Sequence, residues 1–311
     1  MGLVEVLLNA LLSHPVLAAI VISTSLLLCR CIYRITLHPL AHIPGPLLWK
    51  TSSLWLYYHS YIGDEATVIH AAHARYGPLV RVSPNEVDIG DADIIHTDTI
   101  KSHNNIEVGV RSILKAKAIP IILGGDHSVN IPCINAFDNQ DPFHLIQIDA
   151  HLDFVDERHG VRYGHGNPMR RASEKKFVTG MTQIGIRNVS STAKEGYEDA
   201  RKSGSDIYSV RQFRTLGVNQ MLNKIPKDSR YYLTIDIDAF DPSIASGTGT
   251  PSHGGFYYYE VLELIDGLTK QGKVIGLDLV EVAPDYDLTN STSTLAAQLL
   301  MNVISRILYN S

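Results

Sequence analysis

Asp149, His151 and Asp153 stand on alternate residues in Asp149-Ala150-His151-Leu152-Asp153. Side chains of an extended strand alternate faces with a period of two, so these three polar groups point the same way. Carboxylate and imidazole together suit a borderline divalent cation such as Mn²⁺ or Zn²⁺, and no Cys stands near them to make a thiolate site. The same five residues also suit the solvated end of a strand. Two further motifs bear on the choice. Gly124-Gly125-Asp126-His127-Ser128 follows an aliphatic run, and Ile235-Asp236-Ile237-Asp238 ends another, with Asp236 and Asp238 again two apart. Singly, the first reads as a strand-ending turn and the second as a solvated strand end. Jointly they supply six ligands: His127, Asp149, His151, Asp153, Asp236 and Asp238. A tetrahedral site takes about four ligands, whereas two ions sharing bridging carboxylates use six.

The elements that must position these residues follow from the surrounding pattern. Aliphatic and β-branched runs at 119–123, 143–148, 182–186, 231–237 and 273–280 alternate with helical or turn-rich stretches. That alternation predicts an α/β fold: a mainly parallel, doubly wound sheet with helices on both faces. Ligands of such sheets sit at the carboxyl ends of the strands, where every polar motif above falls. Residues 104–118 place Ile106, Val110, Ile113 and Leu114 on one helical face with Asn104 as its cap, and 119–123 reads as a buried strand.

A net charge of −5 gives no electrostatic footprint for nucleic acid. Three cysteines, Cys29, Cys31 and Cys133, make no disulfide framework and fit a reducing compartment. Residues 7–29 carry no formal charge and are long enough to cross a bilayer as a helix. Arg30 and Arg34 follow at once, which by the positive-inside rule keeps the C-terminal side cytosolic. The expected organisation is a transmembrane anchor (1–35), a Pro-rich hinge and stub (36–87), and a metal-binding domain (88–311). The expected location is a single-pass protein of the endoplasmic reticulum membrane with the catalytic part in the cytosol.

The order of apolar anchor, Ile43-Pro-Gly-Pro46, Arg75-Tyr-Gly-Pro78 and Val80-Arg-Val-Ser-Pro-Asn-Glu86 resembles the N-terminus of fungal microsomal haem-thiolate monooxygenases, the cytochrome P-four-fifty family. That likeness ends near residue 87. No haem-ligand cysteine follows in its glycine- and arginine-bearing loop, and Cys133 lies in Asn130-Ile-Pro-Cys-Ile-Asn135 instead.

Gly-Gly-Asp-His-Ser, Asp-Ala-His-Leu-Asp and the block from Asp236 to Gly255 resemble the three signatures of the arginase/agmatinase ureohydrolases. The resemblance implies a three-layer α/β/α fold and two Mn²⁺ ions that cleave a guanidino compound to urea and an amine through a metal-bridging hydroxide. It implies His127 and Asp153 on one ion, His151 and Asp238 on the other, and Asp149 and Asp236 as bridges. It also gives Asp153, His165 and Glu281 catalytic roles: His165 in Gly164-His165-Gly166 as proton shuttle, and Glu281 in Gly276-Leu-Asp-Leu-Val-Glu281 as the grip on the guanidinium. Arg162-Tyr-Gly-His-Gly-Asn-Pro168 lacks the Ser-Gly-Asn run with which arginases hold an α-amino acid, which favours agmatine or guanidinobutyrate. Ser252 stands where agmatinase-like members usually carry Glu, and the opening strand and loop of the family are replaced by the stub. Alternatives to agmatine hydrolysis are an inactive or misfolded fusion, guanidinobutyrase, arginase or zinc-deacetylase-like activity. The expected partners are a small guanidino substrate, the membrane, a possible second copy of the chain, and no nucleic acid.

Overall fold

The computed structural model describes residues 14–77, 79–89, 94, 98–189 and 192–310. The first part of the expected anchor and Pro78 of Arg75-Tyr-Gly-Pro78 therefore lie outside the described residues. Two compact units separate: residues 1–92 with 115–118, and 93–114 with 119–311.

In the first unit, α1 (Pro15–Thr36) is followed by α2 (Leu47–Thr51), α3 (Leu54–Ile62), α4 (Glu65–Tyr76) and an antiparallel hairpin of β1 (Leu79–Ser83) and β2 (Glu86–Ile89). Helix α1 is the single helix among the described residues that is long and apolar enough to cross a membrane, a property it shares with signal sequences. Trp49, Ala72, Val80 and Val82 form a small core. Arg81 is buried there and donates to the carbonyls of Arg34 (2.8 Å) and Pro84 (2.6 Å).

The second unit is built on six strands: β3 (Ile121–Leu123), β4 (Phe143–Ile148), β5 (Val178–Ile184), β6 (Ser205–Tyr208), β7 (Arg230–Asp236) and β8 (Lys273–Val280), in the order β3-β8-β7-β4-β5-β6. Every neighbouring pair is parallel, as strands joined through crossover helices must be. The central strands are buried almost end to end, which is why their sequences read as continuous apolar runs rather than as alternation. Helix α5 (Thr99–Lys115) precedes β3; the crossovers are α6 (Asn130–Asn135), α7 (Pro168–Ser173), α8 (Lys194–Lys202), α9 (Val210–Leu216), α10 (Val218–Leu222) and α11 (Tyr258–Gln271); and α12 (Ser291–Asn310) follows β8. One core lies against α11 and α12, around Ile235, Leu264, Ile265, Leu268, Leu299 and Val303. The other lies across the sheet, around Cys133, Phe137, Phe143, Leu145 and Tyr232.

Three expectations change. Helix α5 begins at Thr99 rather than near Asn104, because Asp98 supplies the cap: its Oδ1 accepts from the Lys101 N–H at 2.9 Å. Strand β3 is not buried; it is an edge strand, and Leu123 is 70% exposed. Strand β6 had no counterpart in the sequence reading, since a four-residue edge strand is too short to show a period.

His144 on β4 is buried, with Nε2 2.8 Å from Thr182 Oγ1. Burial pushes the imidazole down to about 4, although Asp206 pulls the other way. The unfolded chain, with an ordinary histidine near 6.5, then binds a proton that the fold rejects, so stability is full above about pH 6.5 and falls as pH drops towards 4. His144→Gln keeps a partner for Thr182 without titrating. In urea unfolding, the advantage of the native histidine is expected to shrink by about 2 kcal/mol between pH 8 and pH 5.

Candidate metal centre

The carboxyl ends of β3, β4, β7 and β8 converge on one buried cluster. His127 opens a short helical turn after β3; Asp149, His151 and Asp153 follow β4; Asp236 ends β7 and caps the turn carrying Asp238; Glu281 follows β8. His127 Nδ1 lies 3.1 Å from Asp149 Oδ2, 2.9 Å from Asp153 Oδ2 and 3.4 Å from Asp236 Oδ2. His151 Nδ1 lies 2.9 Å from Asp238 Oδ2 and 3.7 Å from Asp149 Oδ1. Two overlapping triads result, His127-Asp149-Asp236 and Asp149-His151-Asp238, with Asp149 common to both. All six residues are buried.

The backbone is shaped for this. Asp153 has φ +50° and Glu281 φ +65°, a region that non-glycine residues avoid, so both turns hold strain next to the cluster. Glu281 is fixed further by its carboxylate: Oε1 accepts from the His127 backbone N–H at 2.8 Å, tying β8 to β3. Burial, first of all, pushes the Glu281 carboxyl up. Its other oxygen lies on the Gly249 side, 4.0 Å from where a Cβ there would stand. His165 is exposed and close enough to Glu281 for its charge to act on that carboxylate. Asp126 and Asp241 serve as turn and cap residues, accepting from Ser128 N and from Ser243, Gly254 and Gly255 N.

The donor set fits divalent cations. Thr234 spends its hydroxyl proton on Asp278 Oδ1, so His127 Nε2, 2.8 Å from Thr234 Oγ1, must be the donor of that pair. That sets the tautomer and leaves Nδ1 as a lone pair among three carboxylates, with no well-directed hydrogen bond of its own. Oxygens and a nitrogen lone pair facing one another repel unless a positive charge lies between them. Four buried carboxylates would be balanced by two divalent cations, and four oxygen donors with two imidazoles do not suit a thiolate-seeking ion.

In the metal-free protein, protons substitute. Burial opposes charge on both imidazoles, but Asp149, Asp153 and Asp236 outweigh it and hold His127 well above its usual value, while Asp149 and Asp238 lift His151 to about 11. Burial and then the Asp149 charge push Asp153 up to about 6; burial, Asp238 and Asp149 push Asp236 well up. Asp149 goes the other way: the two imidazoles overcome its burial and hold it well below the usual carboxylate range.

One contributor was invisible in the sequence. Arg187, just past β5, donates to the carbonyls of Asp238 (2.7 Å), Ala239 (3.2 Å), Phe240 (3.3 Å), Gly185 (3.3 Å), Ser252 (2.6 Å) and His253 (3.2 Å). It braces the Asp236-to-Asp238 turn against the Gly247-to-Gly255 loop. A single arginine after a strand carries no periodic signal that could have revealed this.

The family model described as "Arginase family" matches residues 66–305. The chain belongs to the arginase family. It is 33% identical over 250 residues to human mitochondrial guanidino acid hydrolase, covering 78% of this chain and 70% of that protein. To the agmatinase of Pyrococcus horikoshii it is 36% identical over 261 residues, covering 84% and 83%. The solved structure of proclavaminate amidino hydrolase from Streptomyces clavuligerus superposes with TM-score 0.68 at 31% identity, covering 72% of this chain and 76% of that one. The arginase-family match begins inside the segment that the sequence reading set aside as a stub, 36–87.

Proposed function

We propose that this arginase-family chain is a Mn²⁺-dependent amidinohydrolase that cleaves an agmatine-like guanidino compound to urea and an amine. The observation that carries the proposal is the pair of buried triads sharing Asp149. His127, Asp149, Asp153 and Asp236 would hold one ion, and His151, Asp238, Asp149 and Asp236 the other. When bound, the two cations supply the positive charge that makes a water acidic enough to attack at neutral pH.

The rest falls to the protein. Glu281, with one oxygen held by the His127 amide, turns its other oxygen to the substrate and pairs with the guanidinium, fixing the central carbon over the cluster. Asp153 accepts a proton from the attacking water. As the C–N bond to the alkyl nitrogen breaks, that nitrogen needs a proton to leave as a neutral amine, and exposed His165 delivers it from the mouth of the site. The absence of an arginase-like Ser-Gly-Asn run after Tyr163 favours a substrate without an α-amino acid head. Similar identities to a guanidino acid hydrolase and to an agmatinase support agmatine and guanidinobutyrate as the first two candidates. Helix α1 would hold the enzyme at the endoplasmic reticulum membrane with the metal centre on the cytosolic side.

The test is urea release from agmatine and guanidinobutyrate by purified protein stripped of metal and then supplied with Mn²⁺. Metal-dependent urea is expected from one of them, and His165→Asn is expected to lower kcat about 10²–10⁴-fold with Mn²⁺ binding unchanged. No urea, with fewer than two ions bound per chain, leaves the inactive-fusion reading in its place.

A further inference from the structure

Behind the ligands, the sheet carries two glutamines that the chemistry above does not use. Gln147 on β4 and Gln183 on β5 stand directly opposite each other in the parallel register, and neither is exposed to solvent. Gln183 Nε2 donates to the Leu152 carbonyl at 2.8 Å and to Gln147 Oε1 at 2.6 Å. Gln147 Nε2 donates to the His151 carbonyl at 3.3 Å and to Asp149 Oδ2 at 2.6 Å. Backbone carbonyls only accept, so each amide has its NH₂ end turned to them and neither can be reversed. The hydrogen bonds therefore run in one direction and end on a carboxylate. Asp149 Oδ1 is held from the other side by the His151 N–H at 2.6 Å. Gln183 Oε1 is left buried without a partner, a cost that burial of an apolar residue would avoid.

We propose that Gln147 and Gln183 are positioning residues for the metal pair, a reading that rests on the binuclear site proposed above. They fix the carboxylate shared by both triads, and through the carbonyls of His151 and Leu152 they set the turn that presents His151 and Asp153. Neutral amides suit this place. A lysine would neutralise Asp149 and compete with the cations, and a glutamate would add repulsion to four carboxylates already buried together.

The experiment uses the full-length chain, stripped with a chelator and titrated with Mn²⁺ alone, free Mn²⁺ being read by electron paramagnetic resonance. Gln147→Met keeps the volume and removes both donors. The dissociation constant of at least one ion is expected to rise about 10–100-fold, as it does when partners behind metal ligands are lost. Gln183→Met leaves Asp149 its donor and is expected to shift the constants the same way by less, and it serves if Gln147→Met does not fold. Two ions bound by a folded variant with wild-type constants, even alongside a lowered melting temperature, would overturn the positioning role while leaving the metal reading intact. Fewer than two ions bound by the wild type would overturn both.

Discussion

Asp236→Asn is expected to abolish stabilisation by Mn²⁺ while leaving the metal-free protein at least as stable as wild type. In the empty cluster, burial and the charges of Asp238 and Asp149 already press the Asp236 carboxyl towards its neutral form, so a neutral amide of the same shape costs little. Asparagine also retains the oxygen that accepts from Asp238 N at 2.8 Å, so the turn survives. With metal the sign reverses. Free Mn²⁺ at 100 times its dissociation constant stabilises the native state by about 2.7 kcal/mol per site, and on the proposed ligand set a variant lacking the Asp236 charge forfeits most of it. Urea production should fall by more than about 100-fold, beyond the loss usual for residues that only touch a ligand. Thermal melts of both proteins with and without Mn²⁺ decide the matter. A variant that gains as much from Mn²⁺ as the wild type removes Asp236 from the ligand set.

Arg187→Met is expected to cost about 1–3 kcal/mol in urea unfolding, the range for leaving partly buried carbonyls without their donor. The methionine fills the space but leaves the carbonyls of Asp238, Phe240 and Ser252 without their donor. Arg187→Lys should recover less than half of the loss, because a single ammonium cannot reach carbonyls on both sides of the planar guanidinium. The loop at 246–255 should also become the first site of limited proteolysis. A loss below about 1 kcal/mol for the methionine variant would show that the carbonyls find other donors and that the brace is dispensable.

The ligand types at 149–153 and at 236–238 were legible, but the strand alternation expected to align them does not hold: β4 ends at Ile148, Asp153 sits at φ +50°, and Asp238 lies in a short helical turn after β7. The parallel sheet was legible because strands buried on both faces must be apolar along their length. What stayed hidden depends on neighbours. Gln147 reads as an ordinary polar interruption in Phe143–Ile148, and only the register with Gln183 gives it a task. Strand β3 reads as buried because Ile121–Leu123 is aliphatic, yet its place at the sheet edge leaves Leu123 exposed. Asn104 looked like a cap because Asn often is one, whereas Asp98 lies before a turn that hydrophobic periodicity does not mark.

The bond from Glu281 to the backbone of His127 spans 154 residues, and the bond from the Ala150 N–H to Asp238 spans 88. Loops of that length are slow to close, and no part of the cluster can form from a local segment. During synthesis, then, the four ligand carboxylates come together only after β7 has been made, and His127 and Glu281 join them through β8. A cation cannot seed this fold as zinc seeds a finger; it arrives at a pocket whose repulsion the sheet has already had to overcome. The proposed metal pair should therefore change how long the finished protein lasts far more than how quickly it is made, and unfolding rates should respond to it where folding rates do not.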